Sequence, residues 1–255
     1  TPFLGREAER RALEEQLRRG GVRLVSVLGM GGLGKTLLAG ATAAAFPEAI
    51  FIDLGALPSG AEQAAIWQAL AESLALPTQT ETAVCETLRP QAALLVLDNA
   101  EHVLESVARV LQTLLGRCPE VKALITSREL LHLPGEILFR LQPLPDSEAL
   151  AFFIQCAGQA LPGVSLPIDA VQRLCDGLDR LPLAIELAAA HLRAMSLEEL
   201  ERRLSDRFRL LKSTQHRGAR HHTLQATLDS AWVALSERER RTLAALSVLV
   251  ASWPS

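Results

Sequence analysis

The sequence predicts an α/β fold, a five-stranded parallel sheet covered by helices and followed by an all-helical region. Three observations carry that prediction. Short runs that are apolar on both faces alternate with longer stretches of helical periodicity as far as Leu141. The first run leads directly into a glycine-rich turn that opens a helix. After Pro143-Leu144-Pro145 the strand-like runs cease and only helical patterns continue.

In chain order, Arg6 to Arg19 reads as an amphipathic helix, with Ala8, Ala12, Leu13 and Leu17 on one side and Glu and Arg on the other, stopped by Gly20-Gly21. Strands follow at Val22 to Leu28, Ala49 to Leu54, Ala93 to Leu97, Val121 to Thr126 and Ile137 to Leu141. Helical stretches separate them around Lys35 to Phe46, Ala61 to Leu76 and Val103 to Leu115. Beyond Pro145, helices are expected at Ser147–Ala157, Ile168–Cys175, Leu183–Met195, Leu197–Leu204, Leu224–Leu235 and Glu237–Val248. Ser196 with Glu199 and Ser236 with Glu239 have capping-box spacing, hydroxyl and carboxylate each satisfying an otherwise orphaned backbone donor.

Composition bounds the function. With 255 residues, 49% hydrophobic and 22% charged, the chain can bury a core, which excludes disorder, collagen and coiled coil. Aromatics are 4% with no Tyr, so the core is aliphatic and stacking platforms for bases are not expected. A net charge of -3 argues against a polyanion-coating protein. Cys85, Cys118, Cys156 and Cys175 form no CxxC pair and read as isolated buried thiols of a reducing compartment. No apolar stretch reaches the ~18 residues of a spanning helix, and the N-terminus lacks the order of a signal peptide, so a cytoplasmic location is expected. The absent initial Met and the stop directly after a helical pattern suggest a piece of a longer polypeptide.

Gly29-Met30-Gly31-Gly32-Leu33-Gly34-Lys35-Thr36 is a complete GxxxxGK[ST] motif between a strand and a helix pattern. Its glycines let backbone N–H groups close around a phosphate, and the helix N-terminus behind them favours an anion. Lys35 is expected to reach the β- and γ-phosphates of ATP, the Thr36 hydroxyl to bind Mg²⁺, and Leu33 and Leu37 to lie with the loop in the cofactor-binding set. A glycine-rich turn that merely happens to carry Lys-Thr is the bland alternative. Leu94-Leu95-Val96-Leu97-Asp98 has the form of a Walker B strand, its carboxylate holding Mg²⁺ opposite Thr36. The next residue is Asn99 where many P-loop ATPases place a second acid, and an amide cannot accept a proton. Glu101 is either a replacement for that acid or a solvated carboxylate at a helix start. Arg128, just past the fourth strand, either reaches a terminal phosphate with its planar fork of donors or pairs with Glu129 or Glu136, and spacing alone leans to the pair.

Taken together, Phe3-Leu4-Gly5-Arg6-Glu7, the P-loop, Leu94 to Asp98 with Asn99-Ala100-Glu101-His102, Thr126-Ser127-Arg128-Glu129 and Gly177-Leu178-Asp179-Arg180-Leu181-Pro182-Leu183-Ala184 resemble the STAND class of signal-transduction ATPases. Within that class the chain is similar to the NB-ARC group, and its Leu-Asp-Asn-Ala-Glu-His segment and Arg220-His221-His222-Thr223-Leu224 look most like large bacterial transcriptional regulators. The resemblance implies a P-loop NTPase domain over residues 1–145, a helical subdomain over 146–215, and a linker with the start of a winged-helix module over 216–255. It implies that Phe3, Leu4, Gly5 and Arg6 line the adenine site, that Arg128 reads the γ-phosphate, and that Pro182 closes over the nucleotide. Pro182 also reads simply as a first-turn proline. The function implied is an ATP/ADP switch with slow hydrolysis that self-associates in its ATP state.

One region departs from the acidic mean. Arg202 to His222 holds seven Lys or Arg against Asp206, with His216, His221 and His222. A DNA-binding module fused to an NTP site is therefore a second reading, weaker than a solvated linker because neither aromatic interleaving nor a helix-turn-helix pattern accompanies the charge. The three histidines lack a Cys or carboxylate to complete a metal site. A P-loop kinase is the third reading.

Overall fold

The computed structural model describes residues 5–203. The chain forms two compact units, Thr1–Glu148 and Ala149–Ser255, each treated by itself below.

The first unit is built on five parallel strands, β1 (Leu24–Leu28), β2 (Ala49–Asp53), β3 (Leu94–Asp98), β4 (Lys122–Ser127) and β5 (Glu136–Arg140), in the order β2-β3-β4-β1-β5. This bears out the five-stranded parallel sheet. The central strands β1 and β3 are buried along their whole length, as continuous apolar runs covered on both faces must be. Register brings Leu28 opposite Ser127, Leu97 opposite Ile125 and Asp53 opposite Asp98, so the C-terminal ends of four strands form one edge.

Helix α1 (Glu7–Arg18) and α2 (Lys35–Ala43) pack together, and α2 lies over β1, β3 and β4. Alternate residues face the other way. There Leu95, Leu97, Ala123 and Ile125 join Ile66 and Leu70 of α3 (Gln63–Ser73), Val84 and Leu88 of α4 (Glu81–Leu88), and Val107, Leu111 and Leu114 of α5 (Leu104–Arg117) in the main core. Helix α4 is an addition to the sequence reading. Thr80 Oγ1 caps it by accepting from Ala83 N at 3.3 Å, and Val84, Cys85 and Leu88 form its buried stripe. All four cysteines are free and buried.

The connection between β4 and β5 is held by one carboxylate. Glu136 Oε1 accepts from Ser26 Oγ at 2.6 Å and from Leu131 N at 3.1 Å, and Oε2 accepts from Leu133 N at 3.3 Å. Ser26 is 1% exposed, so Glu136→Ala leaves its hydroxyl buried without that acceptor and frees two loop amides. The expected cost is about 1–3 kcal/mol, read as a lowered midpoint in denaturant or thermal unfolding.

The second unit is helical: α6 (Asp146–Ala160, entered from the first unit), α7 (Ile168–Gly177), α8 (Pro182–His191) and α9 (Leu197–Arg203). Phe153, Val171, Leu174, Ile185, Ala189 and Leu200 are buried in it. Helix α8 ends at His191, short of Met195, after carbonyls near its end bond to Leu192 and Met195 amides. Ser196 Oγ accepts from Glu199 N at 3.2 Å, the hydroxyl half of the expected capping box. The box at Ser236 and the helices beyond residue 223 lie outside the described residues. Among the described residues no helix is long and apolar enough to cross a membrane.

Candidate functional site

The loop between β1 and α2 departs from strand geometry where its glycines allow it. Gly32 (φ 83°) and Gly34 (φ 86°) take left-handed conformations that an L side chain adopts only under strain. Space around Gly29 is tight, since a Cβ there would displace Leu33 Cδ1, met at 2.7 Å, and crowd Leu141 O at 3.2 Å. Buried Leu33 thus anchors the loop from beneath, while Met30 (66% exposed) and Leu37 (48% exposed) leave apolar surface beside it. Gly31 lies in the same loop.

Lys35 opens α2 and is 8% exposed, with Nζ donating to Gly29 O at 2.8 Å and Met30 O at 3.1 Å. The ammonium is therefore held inside the curl of the loop. Burial lowers its pKa, Glu101 opposes that shift, Arg128 adds to it, and Asp98 opposes it again. Thr36 donates from Oγ1 to both oxygens of Asp98, at 3.0 and 2.9 Å.

Asp98 ends β3 and is 1% exposed. Thr126 Oγ1 also donates to it, and Asn99 Nδ2 donates to its Oδ2 at 3.0 Å. Burial raises the Asp98 carboxyl above its ordinary range, the hydroxyls of Thr126 and Thr36 pull it back, and Asp53 and Glu101 push it further up. Asn99 itself sits at φ 60°, and its amide reaches Asp53 Oδ1 at 3.2 Å as well. Sequence reasoning did not single out Asp53, although the matched lengths of β2 and β3 place it beside Asp98.

Glu101 lies on a 3₁₀ turn, Ala100–His102, directly after β3. Arg128 follows β4, and its Nε lies 3.2 Å from Glu101 Oε1. The ion pair that Arg128 makes is thus with Glu101, rather than with Glu129 or Glu136 as its spacing suggested. Glu136 is engaged instead with Ser26 and the loop amides.

Arg6, at φ 63°, is 3% exposed; it donates to Glu9 Oε1 at 3.0 Å and to Gln142 O at 2.7 Å, and its amide donates to Glu148 at 3.0 Å. These bonds fasten the segment before α1 to the connection after β5. Gly5 (φ 73°) lies against the same Glu148. Phe3 and Leu4 lie outside the described residues, as does the basic segment after Arg203 with its histidines. Pro182 belongs to the second unit, at the first turn of α8.

The donor set fits a magnesium nucleotide: a curl of glycines, a buried ammonium, and a hydroxyl and carboxylate side by side at the same strand edge. No group of three or more potential metal-ligating side chains occurs among the described residues, so such an ion would complete its shell with phosphate oxygens and water.

Comparison with known proteins points the same way. No protein-family model matches the chain. It is 38% identical over 231 residues to "Putative HTH-type transcriptional regulator Rv0890c" of Mycobacterium tuberculosis (strain ATCC 25618 / H37Rv), covering 86% of this chain and 26% of that protein. It is 32% identical over 271 residues to "Uncharacterized protein Rv0894" of the same organism, covering 99% of this chain and 67% of that protein. The chain thus spans about a quarter of the length of the first relative. Among solved structures, the Walker-type ATPase PABY2304 of Pyrococcus abyssi superposes with a TM-score of 0.65 at 18% identity, over 80% of this chain and 72% of that one. The STAND protein PH0952 from Pyrococcus horikoshii, with a tetratricopeptide repeat sensor, gives 0.54 at 18% identity over 96% and 34%. The resemblance drawn from the motifs is borne out at the level of fold.

Proposed function

The chain belongs to the family of the mycobacterial protein Rv0894, on a fold shared with Walker-type and STAND ATPases, and from that premise we propose that it is the ATP/ADP-binding switch of a larger signal-transduction regulator. The observation that carries the reading is the convergence, at one sheet edge, of the Lys35 ammonium in its glycine curl with the Thr36–Asp98 pair.

In this reading the loop amides and Lys35 hold phosphate oxygens, exchanging the two carbonyl bonds of Lys35 for bonds in which donor and acceptor are both charged. Thr36 and Asp98 hold magnesium, which when bound draws charge from the phosphates. Arg128, at the same edge, reads the terminal phosphate. ATP and ADP then differ in what Lys35 and Arg128 can touch, and a ligand shifts a conformational equilibrium only through such differences. Inverting a 1:99 population takes about 5.5 kcal/mol, which a few charge-assisted contacts in a partly dry cleft approach. The amide of Asn99 cannot activate water, so hydrolysis is slow and acts as a reset.

In this reading residues 1–145 are the nucleotide-binding part of the switch, and its helical subdomain begins at residue 146. Self-association in the ATP state and control of transcription in the cytoplasm complete the proposal. The name of Rv0890c supports a regulatory role.

Titrating the purified chain with fluorescent ATP and ADP analogues tests this. Arg128→Ala is expected to weaken ATP about tenfold more than ADP, as loss of a charge-assisted bond at a partly exposed site should. Equal losses for the two nucleotides would remove Arg128 from the γ-phosphate.

A further inference from the structure

The guanidinium that the switch reading assigns to the terminal phosphate already has an anion beside it. Glu101 and Arg128 stand at the ends of adjacent parallel strands, β3 and β4, 3.2 Å apart, with side chains 26% and 33% exposed. The contact is imperfect. Glu101 Oε2 and Arg128 Nε are both buried without a hydrogen-bond partner, so the pair has charge proximity without aligned donors. A guanidinium in that state has a donor to offer to a better acceptor, and phosphate oxygens accept in the bidentate geometry that this carboxylate contact does not provide. Both groups also act electrostatically on Lys35, with opposite signs.

We propose that Glu101 is the internal counter-ion of Arg128, competing with a terminal phosphate for the guanidinium, so that ATP binding requires an exchange of partners at Arg128. This rests on the reading of the site as an ATP/ADP switch and adds the element that sets its threshold. ADP has no third phosphate to offer and leaves the Glu101–Arg128 pair intact. ATP must displace Glu101, and the displaced carboxylate, three residues past Asp98, is released at the site where the sequence lacks its second acid. Glu101 is thus a positioning residue acting through Arg128.

The test is a double-mutant cycle on the full chain, comparing wild type, Glu101→Gln, Arg128→Ala and the double variant. Each is titrated calorimetrically with a non-hydrolysable ATP analogue and with ADP. Glu101→Gln is expected to tighten the ATP analogue about fivefold, the size of a partly exposed ion pair, while ADP changes by less than about twofold. In the Arg128→Ala background the same substitution should change ATP affinity by less than about twofold. If it tightens ATP equally in both backgrounds, Glu101 merely repels phosphate and the exchange is overturned. Equal tightening of ATP and ADP overturns it too. Glu101→Asp, which withdraws the charge by one methylene, gives the same direction with smaller size and serves if the glutamine variant folds poorly. Should wild type bind neither nucleotide, or Lys35→Ala bind both as well as wild type, the switch reading itself fails. Binding that depends on Lys35 without coupling between Glu101 and Arg128 sinks the exchange alone.

Discussion

Lys35→Ala is expected to weaken both ATP and ADP by at least about 100-fold, to the point where calorimetric titration at micromolar concentrations gives no heat. The size follows from what the ammonium does. It is 8% exposed and bonded to Gly29 O and Met30 O, so the loop has already oriented it towards its own centre. Charge-assisted bonds to phosphate contribute about 1.5–3 kcal/mol each, and Lys35 is placed to make two. Because the β-phosphate is common to both nucleotides, the loss strikes ADP nearly as hard as ATP, unlike the loss at Arg128. The nucleotide-free variant should keep its fold, since α2 is anchored by Leu38, Ala39 and Ala43 rather than by Lys35. Retained binding of either nucleotide would locate the phosphates elsewhere.

Asp98→Asn should show two effects of opposite sign. Burial raises the pKa of Asp98 in the folded chain above the unfolded value, against the pull of the Thr126 and Thr36 hydroxyls. A raised folded pKa means the folded chain holds the proton more tightly. That stabilisation is complete below the unfolded pKa and is lost as pH rises through the raised folded value. The ionised form is the one that burial disfavours, so at pH values where Asp98 is ionised its replacement by a neutral isostere should raise Tm. The advantage should shrink towards zero as pH falls into the carboxylate range. The same substitution removes the charge to which Thr36 donates, so magnesium-dependent nucleotide binding should fall about tenfold or more, while binding measured in chelator changes little. A lower Tm at neutral pH would mean that the four hydrogen bonds to Asp98 outweigh its burial.

Much of this was legible in the sequence, and what was hidden follows a physical pattern. Strands such as Leu94–Asp98 announce themselves because a parallel strand buried on both faces has no polar position to spare. The P-loop is legible because its glycines answer a backbone need that no other residue meets. Helix α4 was missed because eight residues with three buried positions give little more than two turns of periodicity, and Thr80 was its clearest mark. The partner of Arg128 was missed for another reason. Pairing across adjacent parallel strands joins residues 27 positions apart, whereas spacing along the chain favours near neighbours such as Glu129. Asp53 was invisible on its own, since an acid at a strand end gains meaning only from the residue opposite it.

Asn99 has a consequence for how such a site can change over generations. It stands at φ 60°, a conformation that asparagine tolerates better than most residues, and its single amide touches two carboxylates, Asp53 and Asp98. Swapping in the acid typical of rapid hydrolases would replace a shared donor with a third negative charge among two others. An acid at position 99 would therefore be tolerated better once the charge at position 53 is removed. The constraint on position 99 lies in its neighbourhood, in the two carboxylates that share one amide, rather than in that residue alone.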